Sequence, residues 1–219
     1  MEQLPHLKPL AALYRVARTP DPWAPPDWAF AADGEPVNRY DDPERYYRVL
    51  YAGTSRYACF VETLACFRLN IQLYADLNAI EGEDDYLPLG SVPAAWSRTR
   101  CVGRANVGGI FADVLHSGWI AHLRVRLAGT CVRLGLSDLD AAALRMSAPR
   151  MFTQAVSRLI YDAARYAGIR YVSKFGDDLE NRAIFEPFEL QPHEVTAIAQ
   201  DDTELLQALE LYKLRMLKR

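Results

Sequence analysis

The pattern of apolar and polar residues is clearest between residues 39 and 69. The run Tyr46–Ala52 is aromatic and apolar and stops at Gly53, which predicts a strand followed by a tight turn. Thr54 and Ser55 then offer side-chain oxygens for a helix N-cap, and apolar residues recur at helical spacing over residues 58–69. This stretch therefore predicts a strand, a turn and a helix in immediate succession.

The same criteria predict elements along the rest of the chain. Predicted strands cover Leu10–Val16, Arg98–Asn106, Cys131–Leu136, Gly168–Ser173 and residues 182–190. Predicted helices cover Phe111–Leu115, Ser117–Leu127 capped by Ser117, Asp138–Met146 capped by Ser137, Phe152–Ala167 ended by Gly168, and Thr203–Lys218. Predicted loops are residues 21–36, rich in proline, the acidic part of Tyr74–Pro93, and residues 175–181. Since strands and helices do not alternate regularly, the predicted fold class is α+β, with a central mixed β-sheet flanked by helices.

Length and composition narrow the class of protein. A chain of 219 residues, half of them hydrophobic, is long enough for one large domain with a sizeable core. Its 25 basic and 28 acidic residues nearly cancel, so no charge pattern for direct nucleic-acid binding is visible. The N-terminal residues lack the pattern of a secretion signal, and no apolar run approaches the ~20 residues of a membrane span. We therefore expect a cytoplasmic protein that does not bind membranes.

Cysteine and histidine spacing argues against a metal centre. The four cysteines (Cys59, Cys66, Cys101 and Cys131) are far apart and form no Cys-x-x-Cys pair. The four histidines are scattered as well. The prediction is reduced, buried thiols and no bound metal.

Two separate stretches resemble a known family. The steps Arg39-Tyr40-Asp41, Leu50-Tyr51-Ala52 and Val61-Glu62-Thr63 resemble the first half of the RES domain, a family of bacterial NAD-consuming toxins. The segment FTQAVSRLIYDAARYAGIRYVSKFGDDLENRAIFEP resembles its closing half, which contains Gly-Ile-x-Tyr-x-Ser-Arg. Ser173 stands at the serine of that motif, whereas Lys174 replaces the usual arginine and Ile184 a leucine. The resemblance spans about Leu13 to Pro187.

The resemblance implies a fold, a reaction and a partner. The fold is expected to be related to that of ADP-ribosyltransferases, as one RES-like domain over 1–219 with a core at about 13–187 and a C-terminal strand and helix in 188–219. NAD is the implied substrate, attacked at the anomeric carbon of the nicotinamide ribose, with inorganic phosphate as a candidate co-substrate and no metal. The implied partner is a separate Xre-type antitoxin with a helix-turn-helix. Whether the protein also forms a homodimer is left undecided by the sequence.

The implied catalytic residues suit the chemistry of that reaction. The resemblance gives Glu62 the role of stabilising the positive charge that grows on the ribose as nicotinamide leaves, an effect that acts selectively on the transition state. Arg39 offers paired donors for the pyrophosphate, and Tyr51 offers a ring that can pack on nicotinamide. Ser173 would orient a phosphate or the ribose.

Four further residues are predicted to bind substrate. Arg15 is a second candidate for the pyrophosphate and Tyr40 a second aromatic candidate. Thr153 competes with Ser173 as the functional hydroxyl, and the choice between them stays open. Lys174 keeps the charge of the family's arginine but lacks its bidentate fork, which leaves its phosphate contact open.

Each residue also has an ordinary structural explanation, and three functions remain open. Arg15 and Arg39 could pair with surface acids, Tyr51 could be a core aromatic, and the hydroxyls of Thr153 and Ser173 could bond the backbone. A Rossmann dehydrogenase is excluded because no glycine-rich phosphate loop follows a strand, and a Gly-x-Ser-x-Gly hydrolase motif is missing. The open functions are NAD degradation by phosphorolysis or hydrolysis, protein ADP-ribosylation, and a catalytically silent binding module.

Overall fold

The computed structural model describes residues 4–8, 12–27, 38–78, 90–146 and 148–217. The strands are β1 (His6–Leu7), β2 (Leu13–Arg18), β3 (Val49–Gly53), β4 (Gly90–Val92), β5 (Arg100–Val107), β6 (Phe111–Asp113), β7 (Gly168–Ser173), β8 (Gly176–Phe185), β9 (Leu190–Ala197) and β10 (Leu214–Met216). The helices are α1 (Arg56–Leu64), continued by a 3₁₀ turn (Ala65–Phe67), α2 (Ile71–Asn78), α3 (Ala95–Arg98), α4 (Ser117–Arg126), α5 (Ala128–Arg133), α6 (Ala141–Arg145), α7 (Arg150–Asp162) and α8 (Thr203–Leu211).

Eight strands form one mixed sheet in the order β1-β6-β7-β8-β3-β2-β5-β9. Within it β6 and β7 are parallel and the other neighbours are antiparallel. Strands β10 and β4 form a separate parallel pair. Helices α4 to α7 share a buried cluster with β3, β6, β7 and β8, whereas α1 and α8 share another with β2 and β5. This arrangement confirms the α+β class, with one domain built on a central mixed sheet.

The centre of the sheet brings four chain positions into one row. Gly53 at the end of β3 pairs with Asn181 of β8, and Asn181 pairs in turn with Tyr171 of β7. On the other side Gly53 pairs with Tyr14 of β2. Because directly opposed residues of antiparallel strands point to the same face, Asn181 and Tyr171 share one face of the sheet. Gly53 leaves room there: a Cβ would lie 2.9 Å from the sulfur of Cys59 in α1.

Helix α1 begins directly after this row, as predicted. The Ser55 hydroxyl accepts a hydrogen bond from the Ala58 N–H at 3.1 Å, which satisfies one of the free N–H groups of the first turn. Phe60 and Leu64 are buried against α8 and the neighbouring strands. Packing of this apolar side fixes the helix and leaves Glu62 and Thr63 half-buried on the opposite side.

Two predicted elements have the wrong type. Residues Phe111–Leu115, predicted as a helix, contain strand β6, which pairs with Gly168–Arg170 of β7. Residues Cys131–Leu136, predicted as a strand, contain the end of helix α5, where Cys131 is buried and Val132 is 77% exposed. Both segments are short, and periodicity over five or six residues does not separate a strand from a helix.

Predicted helix ends also need correction. The cap of α4 is His116, not Ser117, since its Nδ1 accepts from the Gly118 N–H at 3.1 Å. The cap of α6 is Asp140, not Ser137. Helix α7 ends at Asp162, and Gly168, predicted to end it, lies in β7, where a Cβ would stand 2.0 Å from the Ala183 carbonyl oxygen. Close approach of two strands, and not a helix end, requires that glycine.

The remaining differences concern the loops and the C-terminus. The predicted turn 175–181 belongs mostly to β8, and the predicted helix 203–218 is α8 followed by β10. Part of the predicted loop Tyr74–Pro93 is helix α2 and strand β4. Residues 28–36 of the proline-rich loop, the acidic residues 81–85 and Leu10 lie outside the described residues.

Candidate active site

A cleft of about 280 Å³ opens where α1 crosses the ends of β2, β3, β7 and β8. Its charged lining residues are Arg15, Arg39, Glu62, Arg150 and Lys174. Its aromatic walls are Tyr51 and Tyr171, and its neutral polar walls include Asn38, Thr63 and Asn181. Five of the eight predicted site residues, Arg15, Arg39, Tyr51, Glu62 and Lys174, therefore meet in one cavity, although they are up to 159 positions apart in sequence (174 minus 15).

The turn that carries Arg39 is held from two sides. Helix α7 supplies Gln154, whose amide donates to the Asn38 carbonyl at 3.3 Å, and Ser157, whose hydroxyl donates to the Tyr40 carbonyl at 2.7 Å. The guanidinium of Arg39 donates to the Leu144 carbonyl at the end of α6. These contacts hold the backbone of the turn and one nitrogen of the guanidinium, so Arg39 approaches the cleft in a fixed orientation.

Tyr51 is fixed through its hydroxyl. The phenol donates to Asp41 Oδ1 at 2.8 Å and accepts from the Tyr40 N–H at 3.0 Å. Burial raises the pKa of Tyr51 well above its ordinary value, and the negative charge of Asp41 raises it further. The phenol therefore stays protonated, and Asp41 ties the strand β3 side of the cleft to the turn that bears Arg39.

Arg15 lies deeper and bonds only to backbone carbonyls among the described residues. Its Nε donates to Pro22 O and its NH1 to Tyr51 O, both at 2.7 Å. Burial lowers the pKa of this guanidinium from its ordinary value, because desolvation disfavours the charged form. Arginine nevertheless remains charged in proteins, so Arg15 places an uncompensated positive charge at the cleft wall.

Glu62 of α1 and Asn181 of β8 make a direct polar contact at the wall of the cleft. Asn181 Nδ2 donates to Glu62 Oε1 at 3.0 Å. Thr63, the next residue, turns its hydroxyl back to the Cys59 carbonyl of its own helix at 2.8 Å. The carboxylate of Glu62 is thus anchored at one oxygen.

Tyr171 completes the wall beside Arg39. The guanidinium carbon of Arg39 lies 5.2 Å from the Tyr171 ring centroid and 5.4 Å from that of Tyr40, which are cation–π distances. Burial raises the pKa of Tyr171 well above its ordinary value, and the charge of Glu62 adds to the effect. Tyr171 is therefore a neutral phenol placed between the acid and Arg39.

Positive charge dominates the cleft although the chain as a whole carries a formal charge of −3. Four cationic side chains and one carboxylate line it. Within the described parts of the chain, none of these four cations forms an ion pair with an acidic side chain. Eight other arginines do form such ion pairs, so the cleft cations differ from them in having no acidic partner among the described residues. Unpaired cations around a concave, partly apolar wall are suited to an anion that carries a flat ring.

Three predicted site residues do not line the cleft in the described structure. Tyr40 is fully buried in the core beneath Tyr171, with their ring centroids 5.1 Å apart. Thr153 is 1% exposed and donates to the Arg150 carbonyl at 3.1 Å. Ser173 is 2% exposed, and its hydroxyl oxygen accepts from the Phe175 N–H at 2.9 Å. A register irregularity between Val172 and Ser173 interrupts the alternation that would place Ser173 beside Tyr171.

The lining residues that the sequence did not predict as site residues include Thr63, Arg150, Tyr171 and Asn181. Tyr171 belongs to the quoted motif Gly-Ile-x-Tyr-x-Ser. Because side chains alternate along a strand, the prediction that Ser173 belongs to the site could have been extended to Tyr171, two residues earlier. Asn181 was assigned to a turn, so its place in the sheet could not be seen. Arg150 precedes the apolar periodicity of α7 and carried no local signal.

Other chemistries find little support in the described residues. Burial raises the pKa of Cys59, which lines the cleft, to about 12, so its thiol is not an activated nucleophile. Among the described residues no three histidine, cysteine or acidic side chains come together in a way that could hold a metal ion. Within the same ranges no helix has the length and apolar character needed to cross a bilayer.

The chain was compared with protein families, with curated proteins and with solved structures, and a similarity was found among the solved structures. No protein-family profile matches the sequence, and no curated protein matches it either. Among solved structures, the chain is similar to one in the crystal structure of the M. tuberculosis MbcT–MbcA toxin–antitoxin complex, with a TM-score of 0.48 and 11% identity. That alignment covers 94% of this chain and 91% of the other. At this level of similarity the functional argument rests on the cleft itself.

Proposed function

We propose that the protein degrades NAD by cleaving the bond between nicotinamide and ribose. The observation that carries the proposal is a cleft lined by one carboxylate, two tyrosines and four cations that have no acidic partner among the described residues. The motif order that resembles the RES domain supports the same reaction. Attack by inorganic phosphate or by water would release free nicotinamide and leave an ADP-ribose product.

The cationic and the acidic residues of the cleft have different roles in the proposed reaction. Arg39 and Arg15 attract the pyrophosphate, which is anionic before and after the reaction, so they act on binding. Glu62 faces the ribose and stabilises the positive charge that arises as the C1′–N bond breaks and its electron pair leaves with nicotinamide. Tyr51 or Tyr171 provides a flat apolar surface for the nicotinamide ring. Lys174 and Arg150, at the exposed rim, attract the incoming phosphate when phosphorolysis is the route.

Incubation of the purified protein with NAD tests the reaction directly. We expect free nicotinamide to accumulate, and to do so faster when inorganic phosphate is present, because the rim cations would hold the second anion near the ribose. Chromatography of the products distinguishes the routes: a phosphorylated ADP-ribose indicates phosphorolysis, and ADP-ribose alone indicates hydrolysis. If NAD disappears only when a protein acceptor is present and becomes labelled, the protein is an ADP-ribosyltransferase. Intact NAD under every condition would leave a silent binding module.

We further propose that the protein acts as the toxin of a toxin–antitoxin pair, with a separate Xre-type helix-turn-helix protein as its antitoxin. The cleft is cationic and has aromatic walls, so an acidic or apolar segment of another chain would suit it. A homodimer remains compatible with this proposal.

Expression in bacteria tests the toxin role. We expect induction of the chain alone to slow growth, with cellular NAD falling before growth stops, because every turnover removes one NAD. Extracts taken along the growth curve and assayed for NAD provide the measurement. Normal growth with unchanged NAD at high expression would contradict toxicity, even if the purified protein is active.

A further inference from the structure

We infer that Asn181 is a positioning residue for Glu62: it holds one carboxylate oxygen so that the other is directed to the ribose. The inference rests on the proposed cleavage of NAD and concerns the orientation of the Glu62 carboxylate in that reaction. Its basis is the hydrogen bond from Asn181 Nδ2 to Glu62 Oε1 at 3.0 Å, at a place where both residues line the cleft.

Asn181 is held more firmly than Glu62. It lies within β8, paired with Gly53 on one side and Tyr171 on the other, and it is 3% exposed. A short side chain at the centre of a sheet has few conformations available. At the paired position, a Cβ on Gly53 would lie 2.9 Å from the Cys59 sulfur, so glycine there allows α1 to approach the sheet closely beside Asn181.

Glu62 needs such a partner because of its own position. It is half-buried on α1 and has three rotatable side-chain bonds, so packing alone does not fix its carboxylate. Among the described residues the Asn181 amide is the hydrogen-bond partner of that carboxylate. A hydrogen bond to a charged acceptor is stronger than a neutral one, and a misplacement of ~1 Å at a reacting centre can cost about 10²-fold in rate. One amide is therefore enough to decide where the negative charge lies.

Two substitutions of nearly the same shape test the inference. Asn181→Leu removes the donor at every pH, and we expect kcat for nicotinamide release to fall at least about 10-fold with KM changed much less. Asn181→Asp replaces the donor by a carboxyl group about 3 Å from Glu62. At neutral pH the two negative charges repel and kcat falls similarly, but at acidic pH the pair binds one shared proton, which restores a donor. Below about pH 6 the Asn181→Asp variant should therefore regain activity relative to wild type, whereas Asn181→Leu should not.

The comparison isolates the contact. The other charged or titratable groups of the cleft are unchanged in both variants: Arg15, Arg39, Tyr51, Cys59, Arg150, Tyr171 and Lys174. Asn106, an exposed asparagine of β5, serves as control, since Asn106→Leu and Asn106→Asp should leave kcat and its pH profile unchanged. Equal pH profiles for Asn181→Leu and Asn181→Asp, or an unchanged kcat in Asn181→Leu, would overturn the inference. Failure of the wild type to release nicotinamide would instead contradict the proposed function.

Discussion

Glu62→Gln should lower the rate of nicotinamide release by two or more orders of magnitude, a loss on the order of 3 kcal/mol in transition-state stabilisation. The substitution keeps the shape of the side chain and removes its charge. The amide oxygen of glutamine can still accept the hydrogen bond that Asn181 donates to Glu62 Oε1, so the contact between α1 and β8 survives. Only the interaction with the developing positive charge of the ribose is lost, and binding of NAD should change far less.

Steady-state kinetics and a melting curve check this expectation together. Glu210→Gln is the matched control, because Glu210 is exposed on α8 and does not line the cleft. Weaker NAD binding with unchanged turnover would show that Glu62 and the arginines have exchanged roles. A large fall in melting temperature would indicate that Glu62 is chiefly a structural acid.

Several elements could be predicted from the sequence because their signals are local and long enough. Helix α7 shows regular apolar spacing along its 13 residues, and α1 has a serine cap after a glycine. The errors fall where the signal is short or the cause is distant. Strand β6 has three residues and exists because β7 pairs with it, and Gly168 is required by a strand neighbour that no local pattern reveals. Pairing between strands that are distant in sequence therefore determines both the strand conformation of β6 and the need for glycine at position 168.

The residues of the candidate site likewise fall into those with a local sequence signal and those that depend on strand pairing. Arg39, Tyr51 and Glu62 could be placed because the turn, strand and helix that carry them are consecutive and each has its own signal. Arg15 was a weaker candidate, since its orientation depends on a hydrogen bond to the Tyr51 carbonyl of the neighbouring strand β3. Asn181 and Tyr171 depend on the register between β3, β8 and β7, which a single sequence does not contain.

Arg39→Ala should weaken the binding of NAD by about 30-fold or more, since a charge-assisted hydrogen bond contributes roughly 2 kcal/mol and 1.4 kcal/mol corresponds to a factor of ten. The guanidinium already donates to the Leu144 carbonyl and lies at cation–π distance from both the Tyr40 and the Tyr171 ring, so it is oriented before the ligand arrives. No acidic side chain competes for it within the described residues. Its free donors are therefore available to the pyrophosphate.

Calorimetric titration of NAD into the Glu62→Gln background measures this effect without turnover. Arg39→Lys keeps the charge but loses the paired donors, and its affinity should fall between wild type and Arg39→Ala. Arg104→Ala, which removes an exposed arginine of β5 lying 3.8 Å from Glu194, should leave the affinity unchanged. Because one positive charge is lost, the affinity of Arg39→Ala should also depend less on salt than that of wild type. Unchanged affinity in Arg39→Ala, with turnover lost in the Glu62 wild-type background, would instead assign Arg39 to the transition state.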